Sequence, residues 1–146
     1  MAVNPIPEGY NTVTPSLIVE NASGLLEFIT KAFDGKERFR MALPNGKVSH
    51  AEIVIGDSLV MVGEADEQHP AVLNGSMYMY VEDVDAVYRQ ALEAGGSSIA
   101  EPENMFYGDR TAAIRDAWGV RWAIATHVED VPEDELAQRA AAARGM

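Results

Sequence analysis

From Thr12 to Val19 the chain alternates, with Val13, Pro15, Leu17 and Val19 on one side and Thr12, Thr14, Ser16 and Ile18 on the other. A period of two predicts a strand with one apolar face. The period then changes. Ala22, Leu25, Leu26, Ile29 and Phe33 form one stripe at helical spacing, with Asn21 or Ser23 placed to cap its start and Gly35 to end it. Three further strands are expected at Glu37–Leu43, Lys47–Ile55 and Ser58–Glu64. The separators Pro44-Asn45-Gly46 and Gly56-Asp57 are short turn signals, so these strands should pair as antiparallel hairpins. The unit reads β-α-β-β-β.

After a polar connector from Ala65 to Gly75 the same order returns. Val19-Glu20-Asn21 leading into Leu25, Leu26 and Ala32 is repeated 62 residues later as Val81-Glu82-Asp83 leading into Val87, Tyr88 and Ala94. The second unit is expected as a strand at Ser76–Val81, then a helix begun by Asp83 and stopped at Gly95-Gly96. That helix carries Val84, Val87, Tyr88, Ala91 and Leu92 on one stripe. Strands near Ser97–Glu101, Asp109–Asp116 and Val120–His127 follow, with Ala117-Trp118-Gly119 as the last turn. Pro132 then opens a terminal helix outside the repeat, because proline is tolerated at a helix start.

A repeat of this length is long for a solenoid and short for a free domain, so the copies are expected to share one core. The fold class is α+β: two βαβββ modules, about 10–65 and 74–128, whose curved mixed sheets enclose a central cavity, plus a C-terminal helix at about 132–144. The chain of 146 residues then counts as a single domain. By alternation the cavity side takes Thr12, Thr14, Ser16, His50, Glu52, Met61, Ser76, Tyr78, Tyr80, Arg121 and Ala123. Ala51, Ile53, Ile55, Val60, Val62, Val120, Trp122 and Ile124 fall on the other side and suit contact with the helices.

Composition narrows the chemistry. At 47% hydrophobic and 23% charged residues the chain is neither collagen-like nor wholly disordered. No cysteine is present, so thiolate nucleophiles, disulfides and cysteine-held zinc or iron–sulfur sites are excluded, and a cytoplasmic location is the simplest expectation. Met1 to Tyr10 does not read as a secretion signal, and no apolar run reaches membrane-spanning length, so no membrane partner is expected. A formal charge of -12 repels phosphate backbones, which argues against nucleic acid and would favour encounter with a cationic ligand. Glu129, Asp130, Glu133, Asp134 and Glu135 read as a solvated acidic tail or as a docking surface for a partner protein.

The paired β-α-β-β-β plan carries local strings: Tyr10-Asn11-Thr12-Val13-Thr14-Pro15, His50-Ala51-Glu52-Ile53, Tyr80-Val81-Glu82-Asp83-Val84-Asp85, Gly108-Asp109-Arg110 and Trp122-Ala123-Ile124-Ala125-Thr126-His127. Together they resemble the vicinal oxygen chelate superfamily, which includes glyoxalase I, bleomycin-resistance proteins and extradiol dioxygenases, in its PhnB-like branch. The resemblance runs from about Tyr10 to Val131. It implies a homodimer, and in metal-dependent members four ligands, one from the first and last strand of each unit. Laid on this chain, that pattern falls on Thr14, Met61, Ser76 and Ala123, whose hydroxyl, thioether and methyl groups are not divalent-cation ligands. Neither a metal nor another cofactor is therefore expected. Asn11 stands where close relatives often carry histidine, and Ala117 replaces a common proline.

Several residues carry chemistry on either of two readings. His50 and Glu52, two apart on one strand, form an acid–base pair or a hydrogen-bonded structural pair. Arg110 offers a bidentate fork to an anionic ligand or pairs internally with Asp109 or Asp116. Arg121 points to the cavity or snorkels to solvent. Tyr78, Tyr80 and Phe106, within Met105-Phe106-Tyr107, stack on a flat ligand or pack as core. No Ser–His–Asp order, phosphate-binding glycine loop or dinucleotide fingerprint appears. The expectation is a metal-independent small-molecule-binding protein, with Thr12, Thr14, Ser16, Met61, Ser76, Tyr78, Tyr80, Phe106, Arg110 and Arg121 around the ligand. The alternative is a lyase, isomerase or dioxygenase-like enzyme using His50 as base, Glu52 to orient it and Arg110 to hold an anionic substrate.

Overall fold

A computed structural model describes residues 3–71 and 75–145. Val72, Leu73 and Asn74, where the connector ends and the second module was expected to begin, lie outside the described residues, as do Met1, Ala2 and Met146. The chain divides into two compact units, Met1–Gly75 and Ser76–Met146.

The first unit comprises β1 (Ser16–Val19), α1 (Ala22–Phe33), β2 (Lys36–Ala42), β3 (Val48–Ile55) and β4 (Ser58–Glu64), in a mixed sheet ordered β1-β4-β3-β2. β1 runs parallel to β4, and the other pairs are antiparallel. α1 buries Ala22, Leu25, Leu26, Phe28, Ile29, Ala32 and Phe33 against one face of this sheet, where Ala51, Ile53, Val60 and Val62 are also buried. Each fully buried leucine or isoleucine contributes about 1.5–3 kcal/mol of apolar transfer.

The second unit repeats the plan with β5 (Ser76–Tyr80), α2 (Val84–Glu93), β6 (Ser97–Asn104), β7 (Asp109–Arg115) and β8 (Arg121–His127), ordered β5-β8-β7-β6. α3 (Glu133–Ala143) follows. It buries no residue and is tied down by Arg139, which donates to the Phe106 carbonyl at 3.2 Å and to both carboxylate oxygens of Glu129 at 2.8 and 2.9 Å.

The repeat persists in the hydrogen bonds. Asn21 accepts from the Gly24 N–H, and Asp83 accepts from that of Ala86. Glu64 accepts from the Ala22 N–H, and Thr126 accepts from that of Val84, so the first turns of both helices are held by the last strands of their sheets. Register agrees: Ser16 pairs with Met61, and Tyr78 with Ala123. All of these correspond at 62 residues. Over the middle strands the spacing falls to 61, so that Gly35 corresponds to Gly96 and Ile53 to Ile114. The three-residue turn at Ala117-Trp118-Gly119, against two residues at Gly56-Asp57, restores it. Gly35 and Gly96 are glycines for one reason. A Cβ would lie 2.9 Å from Ile53 Cδ1 at the first and 3.2 Å from Ile114 Cδ1 at the second, where the chain leaves the helix across the sheet.

Several boundaries shift by one residue, and two differ by more. The first strand begins at Ser16, not Thr12, and Val13 is 82% exposed although its parity placed it on the apolar side. Pro15 has no N–H to extend the ladder, and its carbonyl accepts from Met61, while Thr14 turns its hydroxyl back to the Asn11 carbonyl at 3.3 Å. β6 runs on to Asn104 through Pro102, as an edge strand whose pairing shifts after Ser98 and after Ala100.

Candidate functional site

Each sheet carries a helix on one side, and register shows which residues share the other, the open side, where among the described residues no helix of its own unit packs. In the first unit one row across the sheet is Ser16, Met61, Glu52 and Phe39, and the next includes Ile18, Gly63, His50 and Met41. In the second unit the rows are Ser76, Arg121, Arg115 and Ser97, then Tyr78, Ala123, Ala113 and Ala100, then Tyr80, Ala125, Thr111 and Glu103, with His127 opposite Asp109 beyond.

On the first unit's open face, His50 and Glu52 lie on the same side of β3, but no hydrogen bond joins them among the described residues. Glu52 is taken by others. The Tyr10 hydroxyl donates to one of its oxygens and Arg38 Nε to the other at 3.3 Å. Arg38 also lies over the Tyr10 ring, 5.4 Å from its centroid, and donates to the Glu8 carbonyl at 3.0 Å. A guanidinium and a phenol saturate this carboxylate more readily than an imidazole two residues away along an extended strand. His50 instead lies 6.3 Å from the Phe39 ring centroid. Thr12 and Thr14 precede β1 on the N-terminal approach, and Ser16 is exposed opposite Met61.

On the second unit's open face a connected polar cluster forms. Asp109, only 4% exposed, receives the Tyr78 hydroxyl at 2.7 Å and the Tyr80 hydroxyl at 2.9 Å on one oxygen, Oδ2. Its other oxygen meets His127 Nδ1 at 2.9 Å, and His127 Nε2 meets Asp130 Oδ1 at 2.7 Å. Ionised carboxylates only accept, so both contacts are satisfied together when His127 carries both protons. Its bonds to Asp109, then to Asp130, raise its pKa above the ordinary histidine value. Burial pushes the Asp109 carboxyl up, but hydrogen bonds from His127, Tyr78 and Tyr80 outweigh it and hold it below the usual range. Burial, and then the bond to Asp109, push Tyr78 up; the Asp109 bond pushes Tyr80 up. Both phenols are therefore neutral near pH 7. The Tyr78 and Tyr80 ring centroids are 5.4 Å apart, and the residues are 50% and 64% exposed.

The local sequence explains why the cluster forms. Gly108 has a φ of 97°, and a Cβ there would fall 2.1 Å from the Glu129 carbonyl oxygen. Only glycine lets the chain after β8 close over this turn, where the Gly108 carbonyl accepts from Val128 and Glu129 at 2.9 and 3.1 Å. That closure holds His127 against Asp109, its register partner. Phe106, in the same turn, packs edge-on to Tyr107 with centroids 5.2 Å apart.

Arg110 lies elsewhere. It shares the helix side of β7 with Ala112 and Ile114, and its fork is held by Asp85 in the first turn of α2 at 3.2 and 3.3 Å, with Asn104 at 3.2 Å. Its internal partner is Asp85, not Asp109 or Asp116. Asp116 is occupied by the backbone N–H groups of Trp118 and Val120 and the Trp122 indole, each at 2.9 Å. Arg121 is exposed opposite Ser76 and Arg115. Sequence reasoning passed over Asp109 and His127 as site residues. The signal was available: a hairpin turn at 117–119 sets 109 opposite 127, on the side already assigned to Tyr78 and Tyr80.

The superfamily's divalent metal does not fit the donor chemistry of Thr14, Met61, Ser76 and Ala123. Among the described residues no three of His, Cys, Asp and Glu gather as a cation site. An open groove of about 440 Å³ between α1 and β2 is lined by charges already paired with each other, Lys31 with Glu27 and Arg40 with Glu37.

Known proteins agree with this architecture. The model of the Glyoxalase/Bleomycin resistance protein/Dioxygenase superfamily matches residues 10–124. An uncharacterized protein of Mycobacterium bovis is 32% identical over 146 residues, covering 93% of both chains, and one of Mycobacterium tuberculosis is 32% identical over 93% of this chain and 84% of its own. Among solved structures, TioX from Micromonospora sp. ML1 is 19% identical with a TM-score of 0.70, covering 82% of this chain and all of its own. A Bacillus cereus PhnB protein, described as a putative 3-demethylubiquinone-9 3-methyltransferase, is 19% identical with a TM-score of 0.64, covering 80% and 99%. The chain belongs to the glyoxalase/bleomycin resistance/dioxygenase superfamily, the vicinal oxygen chelate proteins, with PhnB-like structural neighbours.

Proposed function

We propose that this chain is a small-molecule-binding protein that works without a divalent metal, and that the open face of its second module is where the ligand rests. The observation that carries the reading is the Tyr78–Tyr80 pair: two half-exposed rings held in place by a buried carboxylate, on the open side of their sheet. Rigid aromatic rings lose little freedom on binding and offer large contact area. Ala123 and Ala125, the register partners of Tyr78 and Tyr80, and Ala113 beside Ala123 are small and buried, so the two rings are the exposed part of these rows. The donor chemistry at the superfamily's metal positions supports the metal-free part. The acid–base reading of His50 with Glu52 draws no support from a carboxylate already held by Tyr10 and Arg38.

Elemental analysis of protein purified without chelator tests the reading, together with calorimetry against a cationic glycopeptide. Binding with substoichiometric Fe, Mn, Ni and Zn supports it. One equivalent of any of these metals, with binding lost on chelation, refutes it. The same reading takes the chain as a homodimer, since Phe39, Met41 and Leu43 alternate as exposed apolar side chains on and just past the edge strand β2. Light scattering should give twice the chain mass of 15.8 kDa; the single-chain mass would remove that part.

A further inference from the structure

The hydrogen-bonding sense of the second module's open face is fixed, and it selects a ligand class. A phenol has one hydrogen to give, and Tyr78 and Tyr80 both give theirs to Asp109 Oδ2. What their oxygens have left is acceptor capacity. Tyr107 adds a third hydroxyl against Tyr78; even if it donates there, Tyr78 keeps a lone pair. The two hydroxyls converge on one carboxylate oxygen and lie within reach of each other. A nitrogen with two or more N–H groups can donate to both oxygens at once. The two rings are tilted at 60° with centroids 5.4 Å apart, electron-rich surfaces that favour a nearby cation, and both hydroxyls meet the ionised Asp109. The positive charge of His127 is flanked by Asp109 and Asp130, which leaves the cluster with net negative charge.

We propose that this face holds the ammonium group of a small organic amine, bridging the hydroxyl oxygens of Tyr78 and Tyr80, with the rest of the ligand lying on the two rings. The inference rests on the binding-face reading above and names its ligand class. At the two hydroxyl oxygens themselves an anion would meet acceptors and the Asp109 carboxylate, Arg121 and Arg115 lying in the next row of the sheet, and a neutral hydrocarbon would leave both oxygens unpaired.

The test titrates the isotope-labelled full-length chain at pH 6 with benzylammonium, benzoate and benzyl alcohol, following backbone amide shifts. Benzylammonium should give saturable shifts at Tyr78–Tyr80, Asp109 and His127, and bind at least about tenfold more tightly than the other two. A Tyr78→Phe/Tyr80→Phe double variant keeps both rings but removes both acceptors, and should lose about tenfold in benzylammonium affinity. Tyr80→Phe alone, at the more exposed position, should lose part of it and serves if the double variant melts early. Equal shifts from all three probes at this face would overturn the amine inference and leave the binding-face reading standing. Full benzylammonium affinity in both variants, or no shift here with any probe, would also overturn it; the metal and calorimetric measurements judge the broader reading separately.

Discussion

The two modules share a scaffold and differ in what they display on it. On the helix side, equivalent positions hold equivalent residues: Ile53 and Ile114, Ala51 and Ala112, Val62 and Ile124, Gly35 and Gly96. On the open side they part. Ser16 and Ile18 correspond to Tyr78 and Tyr80, Val48 to Asp109, Glu52 to Ala113 and Met61 to Ala123. The first module closes its open-side carboxylate with Tyr10 of the N-terminal segment and Arg38 of β2. The second leaves its tyrosines half exposed. Packing against the helix constrains the helix side tightly, since a methylene gained or lost there is felt, whereas the open side carries different residues in the two modules.

The largest expected effects should be symmetric. Ile53→Ala and Ile114→Ala each remove a fully buried side chain against a helix, and each should lower stability by about 2–5 kcal/mol in denaturant titration. A cost confined to one module would break the equivalence.

The helix caps should be unequal. Asp83→Ala removes one accepted hydrogen bond from an extended residue, for about 1 kcal/mol. Asn21 sits at a φ of 64°, so Asn21→Ala adds the strain of a left-handed alanine, another 1 kcal/mol or so. Equal losses would show that the conformational difference does not matter.

The pH response should come from the second module. His127 has a raised folded-state pKa, so its contribution is complete below the ordinary value of 6.5 and is lost as pH rises through the folded value. Asp109 has a lowered one, so its contribution is complete above 3.8 and is lost as pH falls through the folded value. Between about pH 4 and 6.5 both are present. Urea titrations from pH 5 to 9 should show wild-type stability declining on the alkaline side and a flatter curve for His127→Gln. The same slope in both would place the titration elsewhere.

The smallest effect belongs to the first module's strap. Tyr10→Phe removes one hydrogen bond to Glu52 at a partly exposed site, for about 1 kcal/mol or less. A loss well above that in thermal melts would show that the N-terminal segment is integral to the first module's core.

Most of the fold is legible in the sequence because it rests on local periodicity and turn residues: the helix stripes, the Gly56-Asp57 turn and the 62-residue return of the capping residues. Thr12 to Pro15 was not, since alternation persists there after the proline has removed the ladder donor. The site was half legible. Tyr78 and Tyr80 followed from parity on one strand, but Asp109 and His127 are 18 residues apart and meet only through hairpin register. Arg110 drew attention because an arginine beside an aspartate resembles an anion fork, although parity on β7 had already turned it toward α2 and Asp85.

Native mass spectrometry of the chain as purified, before and after dialysis against a chelator, tests most directly whether the second module's open face binds a ligand without metal. A bound small-molecule mass that survives the chelator and is lost in a Tyr78→Ala/Tyr80→Ala variant is the predicted result. A bare chain, or a bound mass that leaves with the metal and ignores both tyrosines, would contradict it.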